Sequence, residues 1–214
     1  MQNLNAIVIG ASGATGKELI LRLLEDTHFN SVSIFVRKNP EISHKKLKTH
    51  KIDFSKIHDY RKLIKGNVLF SCLGTTLKAA GSKAKQYQVD FTYQYKFAKY
   101  ASDNGVNLYS LVSSTGSNPK SPFFYPKIKG QLEESVKKLP FKTIHIYQPP
   151  ILIRQDELIR SGEKIVIKAL RGLNNLGILK SHKPLLVSTL AKRMVDEIIN
   201  LQQENLKIFS PKDF

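Results

Sequence analysis

The stretch AIVIGASGATGKELILRLL, residues 6–24, decides the fold. Residues 6–9 are apolar and mostly β-branched, the composition of a strand buried on both faces. Gly10, Gly13 and Gly16 follow at once, and residues 15–24 continue at helical period. A strand, a glycine-rich turn and a helix in that order form the opening unit of a dinucleotide-binding fold. Gly10 permits the tight turn, Gly13 lets backbone N–H groups approach a pyrophosphate at the helix N-terminus, and Gly16 lets helix pack on sheet. A glycine-rich turn without a ligand is the structural alternative. A phosphate loop for nucleoside triphosphates is excluded, because it requires Gly-Lys-Ser/Thr after a four-residue spacer and here Gly16-Lys17 is followed by Glu18.

Outward from this unit, apolar β-branched runs alternate with amphipathic helical stretches. Strands are expected at residues 32–36, 50–52, 68–71, 108–113 and 143–148, and helices at 84–103, 127–138 and 189–201. The sequence Asp103-Asn104-Gly105 is a helix stop. After Pro149-Pro150 the pattern weakens through residues 163–170 into a Gly/Asn-rich stretch. With no repeat or linker visible, the expectation is one domain over residues 1–214. Its class is α/β, a doubly wound parallel-sheet Rossmann fold with a small C-terminal substrate-side segment at residues 150–190.

Composition narrows the partners. The 34 Lys plus Arg against 17 Asp plus Glu leave a net charge of +17, a field that attracts nucleic acid, an anionic membrane surface or a phosphorylated cofactor, unless the lysines simply solvate the surface. The densest run, HKKLKTHK at residues 44–51, lacks the interleaved aromatics of a base-stacking platform, so nucleic acid is set aside in favour of a small-molecule substrate. No apolar run approaches the roughly eighteen residues of a membrane span and no signal-peptide pattern precedes the first strand, which together predict a cytoplasmic chain. The single Cys72 allows no internal disulfide, and the six histidines form no HxxH or HExxH pair, so no metal site is expected.

Cofactor choice turns on the end of the second strand. An NAD-preferring site places Asp or Glu there to accept from the ribose hydroxyls, whereas this chain has Val36-Arg37-Lys38. A guanidinium pairs with a 2′-phosphate and stacks on adenine, so Arg37 predicts NADP(H), with Ser12 as a second contact to the same phosphate. Asp53 and Phe54, after the third strand, are placed to flank the adenine. Cys72, Leu73, Gly74 and Thr75 follow the fourth, where Gly74 allows close backbone approach and the threonines offer hydroxyls; Cys72 itself reads as a small buried hydrophobe more readily than as a nucleophile.

The reactive constellation is Ser113-Ser114 at the end of the fifth strand with Tyr125 and Lys129. Residues four apart share a helix face, where the Lys129 ammonium stabilises a phenolate and reaches the nicotinamide ribose. Tyr125 then acts as proton donor, Lys129 as its partner, and Ser114 rather than Ser113 holds the reacting oxygen. In a lysine-rich chain the same spacing also arises from a core tyrosine beside a surface lysine.

These residues resemble the atypical short-chain dehydrogenase/reductases, with their NmrA-like relatives, and within them the branch of the human Tat-interacting-protein oxidoreductase. The resemblance rests on GASGATGKEL at 10–19, FVRK at 35–38, CLGTT at 72–76, QVDFTY at 88–93, LVSSTGS at 111–117, FYPKIKGQLEE at 124–134 and QPPILIRQDELIRSGEK at 148–164. It implies an NADP(H)-binding reductase in which Gly10, Ser12, Gly13, Ala14, Thr15, Gly16, Arg37, Leu73, Gly74 and the Tyr125/Lys129 pair contact the cofactor, and residues 149–152, with Pro149 and Leu152, line the nicotinamide pocket. Two features depart from the family's pattern. Pro126 disfavours the α region for Tyr125, leaving open whether that residue caps the helix or lies within it. Gln148-Pro149-Pro150 stands where the family more often shows Arg-Pro-Gly. A non-catalytic NADP(H)-binding sensor or interaction module is the alternative to a reductase.

Overall fold

Strand β1 (Leu4–Ile9) lies inside a seven-stranded sheet, and its alternating side chains seed two cores. Leu4, Ala6 and Val8 point to one face, Ile7 and Ile9 to the other. Residues 3–153, 184–201 and 205–214 are described by this computed structural model. The expected segment at 163–170, and most of the substrate-side stretch at 150–190, lies outside them.

From β1 the chain passes through helix α1 (Ala14–Glu25) to β2 (Phe29–Val36) and the edge strand β3 (Leu47–Lys51), then returns to the other side of β1 as β4 (Val68–Ser71). Beyond it come β5 (Leu108–Val112), β6 (Thr143–Tyr147) and β9 (Leu206–Phe209), giving the order β3-β2-β1-β4-β5-β6-β9 with every neighbouring pair parallel. Two short strands, β7 (Leu152–Ile153) and β8 (Leu185–Leu186), pair separately. The reversal between β1 and β4 creates a crevice at the carboxyl ends of the strands, where ligands of such sheets bind. The doubly wound Rossmann class expected from the sequence is therefore the observed one.

One face of the sheet is covered by α1 and helix α6 (Val187–Ile199), through Leu19, Leu23, Leu190 and Met194. The opposite face is covered by α4 (Gln94–Asp103) and α5 (Phe124–Val136), through Phe97, Ala101, Leu132 and Val136. Between β4 and α4 the chain forms α2 (Leu77–Ala80), α3 (Lys83–Tyr87) and a π-helical turn (Gln88–Tyr93). The sequence pattern implies one uniform helix over residues 84–103. The structure interrupts it with the wider turn, which carries Asp90 into the interior. The expected stop is present: Gly105 takes a positive φ of 83°.

Two strands differ from expectation for the same reason. The third was expected at 50–52 and lies at Leu47–Lys51, and β9 was not anticipated at all. Both are edge strands with one neighbour, and each exposes at least half of its residues, so neither LKTHK nor LKIF shows the apolar run of an inner strand.

Candidate functional site

A cleft of about 1040 Å³ opens along the carboxyl ends of β1, β4, β5 and β6. One wall is the turn into α1: Ser12, Gly13, Ala14 and Thr15. Gly10 and Gly16 lie beneath this turn and shape it. Gly10 has φ +81°, and a Cβ there would stand 2.3 Å from the Cys72 carbonyl group. A Cβ on Gly16 would stand 2.2 Å from the Gly10 oxygen. Only glycine lets the β1 turn, the β4 loop and the helix start approach so closely. Helix α1 is capped by Gly13, with no side-chain cap and no acidic residue in its first turn. Its N–H groups and positive dipole end thus face the cleft uncompensated, which fits a bound pyrophosphate.

The floor is the loop after β4, with Cys72, Leu73, Gly74 and Thr75 lining the cleft. Thr75 is held from both sides: its N–H donates to Asp90 Oδ2 at 3.3 Å, and its carbonyl accepts from Gln86 Nε2 at 3.4 Å. Burial pushes the Cys72 thiol up to about 12, which disfavours the thiolate and with it a nucleophilic role.

At the far end, Ser114, Tyr125, Lys129, Pro149 and Leu152 all line the cleft. Tyr125 lies inside the first turn of α5, which starts at Phe124, and Pro126 is accommodated in that turn, where its missing N–H has no intrahelical partner to lose. Lys129, four residues on, is almost wholly buried. Its ammonium lies 3.8 Å from Asp90 Oδ1 and donates to the Val112 carbonyl at 3.3 Å. Asp90 is fully buried, and desolvation leaves its pKa raised despite the opposing Lys129 charge. The two serines differ. Ser113 is buried and its hydroxyl donates to the Glu133 carboxylate, with Ser117 Oγ also 3.0 Å away. Ser114 is bonded only weakly, donating to the Thr115 carbonyl at 3.2 Å, and is the serine more available to a ligand.

Besides Gly10 and Gly16, which lie beneath the turn, three expected site residues lie outside the cleft walls. Arg37 is exposed at the end of β2. Asp53 caps the 3₁₀ helix Phe54–Leu63, accepting from the Ser55 N–H at 2.8 Å and the Ser55 hydroxyl at 2.7 Å; these bonds lower its pKa. Phe54 is turned into the core, its ring 5.9 Å from Tyr93. Conversely, Asp90, Glu133 and Gln86 support the site and were not singled out from the sequence. The block QVDFTY contained Asp90, yet an acidic residue in a helical stretch ordinarily marks the solvated face. Gln148, noted as a departure, donates to both Glu133 oxygens at 3.2 and 3.0 Å.

A family model described as NAD(P)H-binding matches residues 10–139. Protein HTATIP2 of Rattus norvegicus is 33% identical over 172 residues, covering 78% of this chain and 71% of that protein. The chain belongs to the atypical short-chain dehydrogenase/reductases of the HTATIP2 branch. Another relative of this branch, protein FMP52-1, mitochondrial, of Scheffersomyces stipitis, is 34% identical over 184 residues, covering 83% of this chain and 76% of its own. Among solved structures, a short chain dehydrogenase family protein from Francisella tularensis superposes with a TM-score of 0.67 at 17% identity, covering 99% of this chain and 98% of the other. As a member of this branch the chain is an NAD(P)-binding protein of oxidoreductase-type fold. The cytoplasmic expectation is corrected here, because several relatives are named as mitochondrial. Compartment is set by targeting signals and not by fold or by the want of a span. What the structure adds is that, among the described residues, no helix is long and apolar enough to cross a membrane.

Proposed function

We propose that this chain is an NADP(H)-dependent reductase of a small carbonyl substrate, with Tyr125 as proton donor. The observation that carries it is the sharing of one cleft by the uncapped start of α1 and by Ser114, Tyr125 and Lys129. Gly13, Ala14 and Thr15 would hold the pyrophosphate, Lys129 the nicotinamide ribose, and Pro149 and Leu152 the nicotinamide face. Arg37, exposed just past the end of β2 where an NAD-preferring site carries Asp or Glu, would take the 2′-phosphate. The bound nicotinamide supplies hydride. Tyr125, 39% exposed, is open to a substrate and donates its hydroxyl proton to the carbonyl oxygen. Ser114 donates a hydrogen bond to the same oxygen, and the buried Lys129 ammonium, held by Asp90 and Val112, stabilises the phenolate left behind.

The test is titration with NADPH and NADH, followed by a carbonyl screen for NADPH oxidation. A charge-assisted bond to the 2′-phosphate predicts that Arg37→Glu weakens NADPH binding about ten- to a hundred-fold and leaves NADH binding unchanged. Tyr125→Phe is expected to abolish turnover with cofactor affinity intact. Tight NADPH binding by a wild type that turns over no carbonyl compound would instead favour a sensor.

A further inference from the structure

Beyond Tyr125 and Ser114 the cleft extends into a region that cofactor and catalytic residues do not account for, walled by Leu77, Lys83, Phe124 and Ile151. Leu77 and Ile151 are 47% and 44% exposed, and Phe123, next to Phe124, is 72% exposed. Large apolar side chains from three separate segments therefore meet water at or beside one mouth, the character of a ligand surface.

Among the described residues the charge at this mouth is one-sided. No Asp or Glu is among the described residues that line the cleft. Of its two lysines, Lys129 is matched by Asp90. Lys83 is exposed, its ammonium 5.6 Å from the Phe124 ring centroid, and it forms no ion pair with a carboxylate among the described residues. A cation with no carboxylate partner among the described residues, beside an aromatic wall, suits an anionic group carried on an apolar body.

We propose that the substrates are carbonyl compounds with an apolar, aromatic body and a carboxylate at the end remote from the carbonyl. Lys83 pairs with the carboxylate, Leu77, Phe124 and Ile151 cover the body, and the carbonyl meets Tyr125 and Ser114. The position of the carbonyl rests on the reductase proposal; recognition of the carboxylate does not. In the reaction the carbonyl carbon gains a hydride as NADPH becomes NADP+, and its oxygen gains the Tyr125 proton, which solvent restores.

The experiment compares 4-carboxybenzaldehyde with its neutral isostere 4-formylbenzamide, by NADPH oxidation and by equilibrium binding to the NADP+-loaded protein. Wild type is expected to favour the carboxylate about five- to tenfold in both readouts, the margin shrinking with salt. Lys83→Gln removes the preference and Lys83→Glu reverses it, with NADPH affinity unchanged. A Lys83-dependent preference in binding without any turnover upholds the carboxylate site and sinks the reductase proposal. Equal turnover of both probes, indifferent to Lys83, overturns the carboxylate site and leaves the reductase standing. Failure of both probes to bind, or a loss of NADPH affinity in Lys83→Gln, also overturns it.

Discussion

The two ends of the cleft are built from different materials. At the α1 end the contact surface is backbone, held in place by glycines whose missing side chains let three segments touch. At the α5 end it is side chains, held by buried polar partners: Asp90 under Lys129, Glu133 between Ser113 and Gln148. A backbone surface suits a ligand part that never changes, such as a pyrophosphate. A side-chain surface supplies protons and charge at chosen atoms, at the cost of burying groups that must all be satisfied.

The contrast breaks most visibly at the buried ion pair. Asp90→Ala leaves the Lys129 ammonium in the interior without its carboxylate and is expected to cost about 3–5 kcal/mol of stability in a urea titration. A loss under about 1 kcal/mol would mean that Lys129 does not depend on Asp90. At the other end, Gly10→Ala combines a positive φ with a Cβ driven into the β4 loop, and about 2–4 kcal/mol is expected, together with loss of NADPH binding. Glu133→Gln is milder. Its amide would turn a donor toward either the Gln148 amide or the Ser113 hydroxyl, so about 1–3 kcal/mol is expected in stability, with lowered kcat and unchanged NADPH affinity. An unchanged kcat would separate Ser113 and Glu133 from the reacting end. The smallest effect is chemical. Burial pushes the Cys72 thiol up to about 12, which disfavours the thiolate at pH 8. Iodoacetamide should therefore label it far more slowly than free cysteine, whereas rapid labelling would place a reactive thiol on the cleft floor.

Legibility followed the same division. The α1 end was readable because glycine spacing after a strand has a geometric meaning that survives without the rest of the molecule, and the Cβ distances at Gly10 and Gly16 repeat that meaning in ångströms. Ser114, Tyr125 and Lys129 were singled out by spacing and by resemblance, and the fold gathers them into the cleft wall. Asp53 and Phe54 were placed by proximity to a strand end; the local chain uses the first as a helix cap and the second as core. Asp90 was passed over because nothing in a linear pattern distinguishes a solvated carboxylate from one carried inward by a π-helical turn.

By itself the sequence determined the alternation of strand and helix, the dinucleotide turn and the family, because apolar periodicity, glycine conformational freedom and local motif spacing act over neighbouring residues. Only the tertiary structure decided which charges are buried together, which serine is engaged by a carboxylate, and that Leu77, Lys83, Phe124 and Ile151 share one mouth. Those outcomes depend on residues tens of positions apart being packed against one another, and burial, which sets both the strength of an ion pair and the need for a partner, exists only once the sheet has closed its two cores.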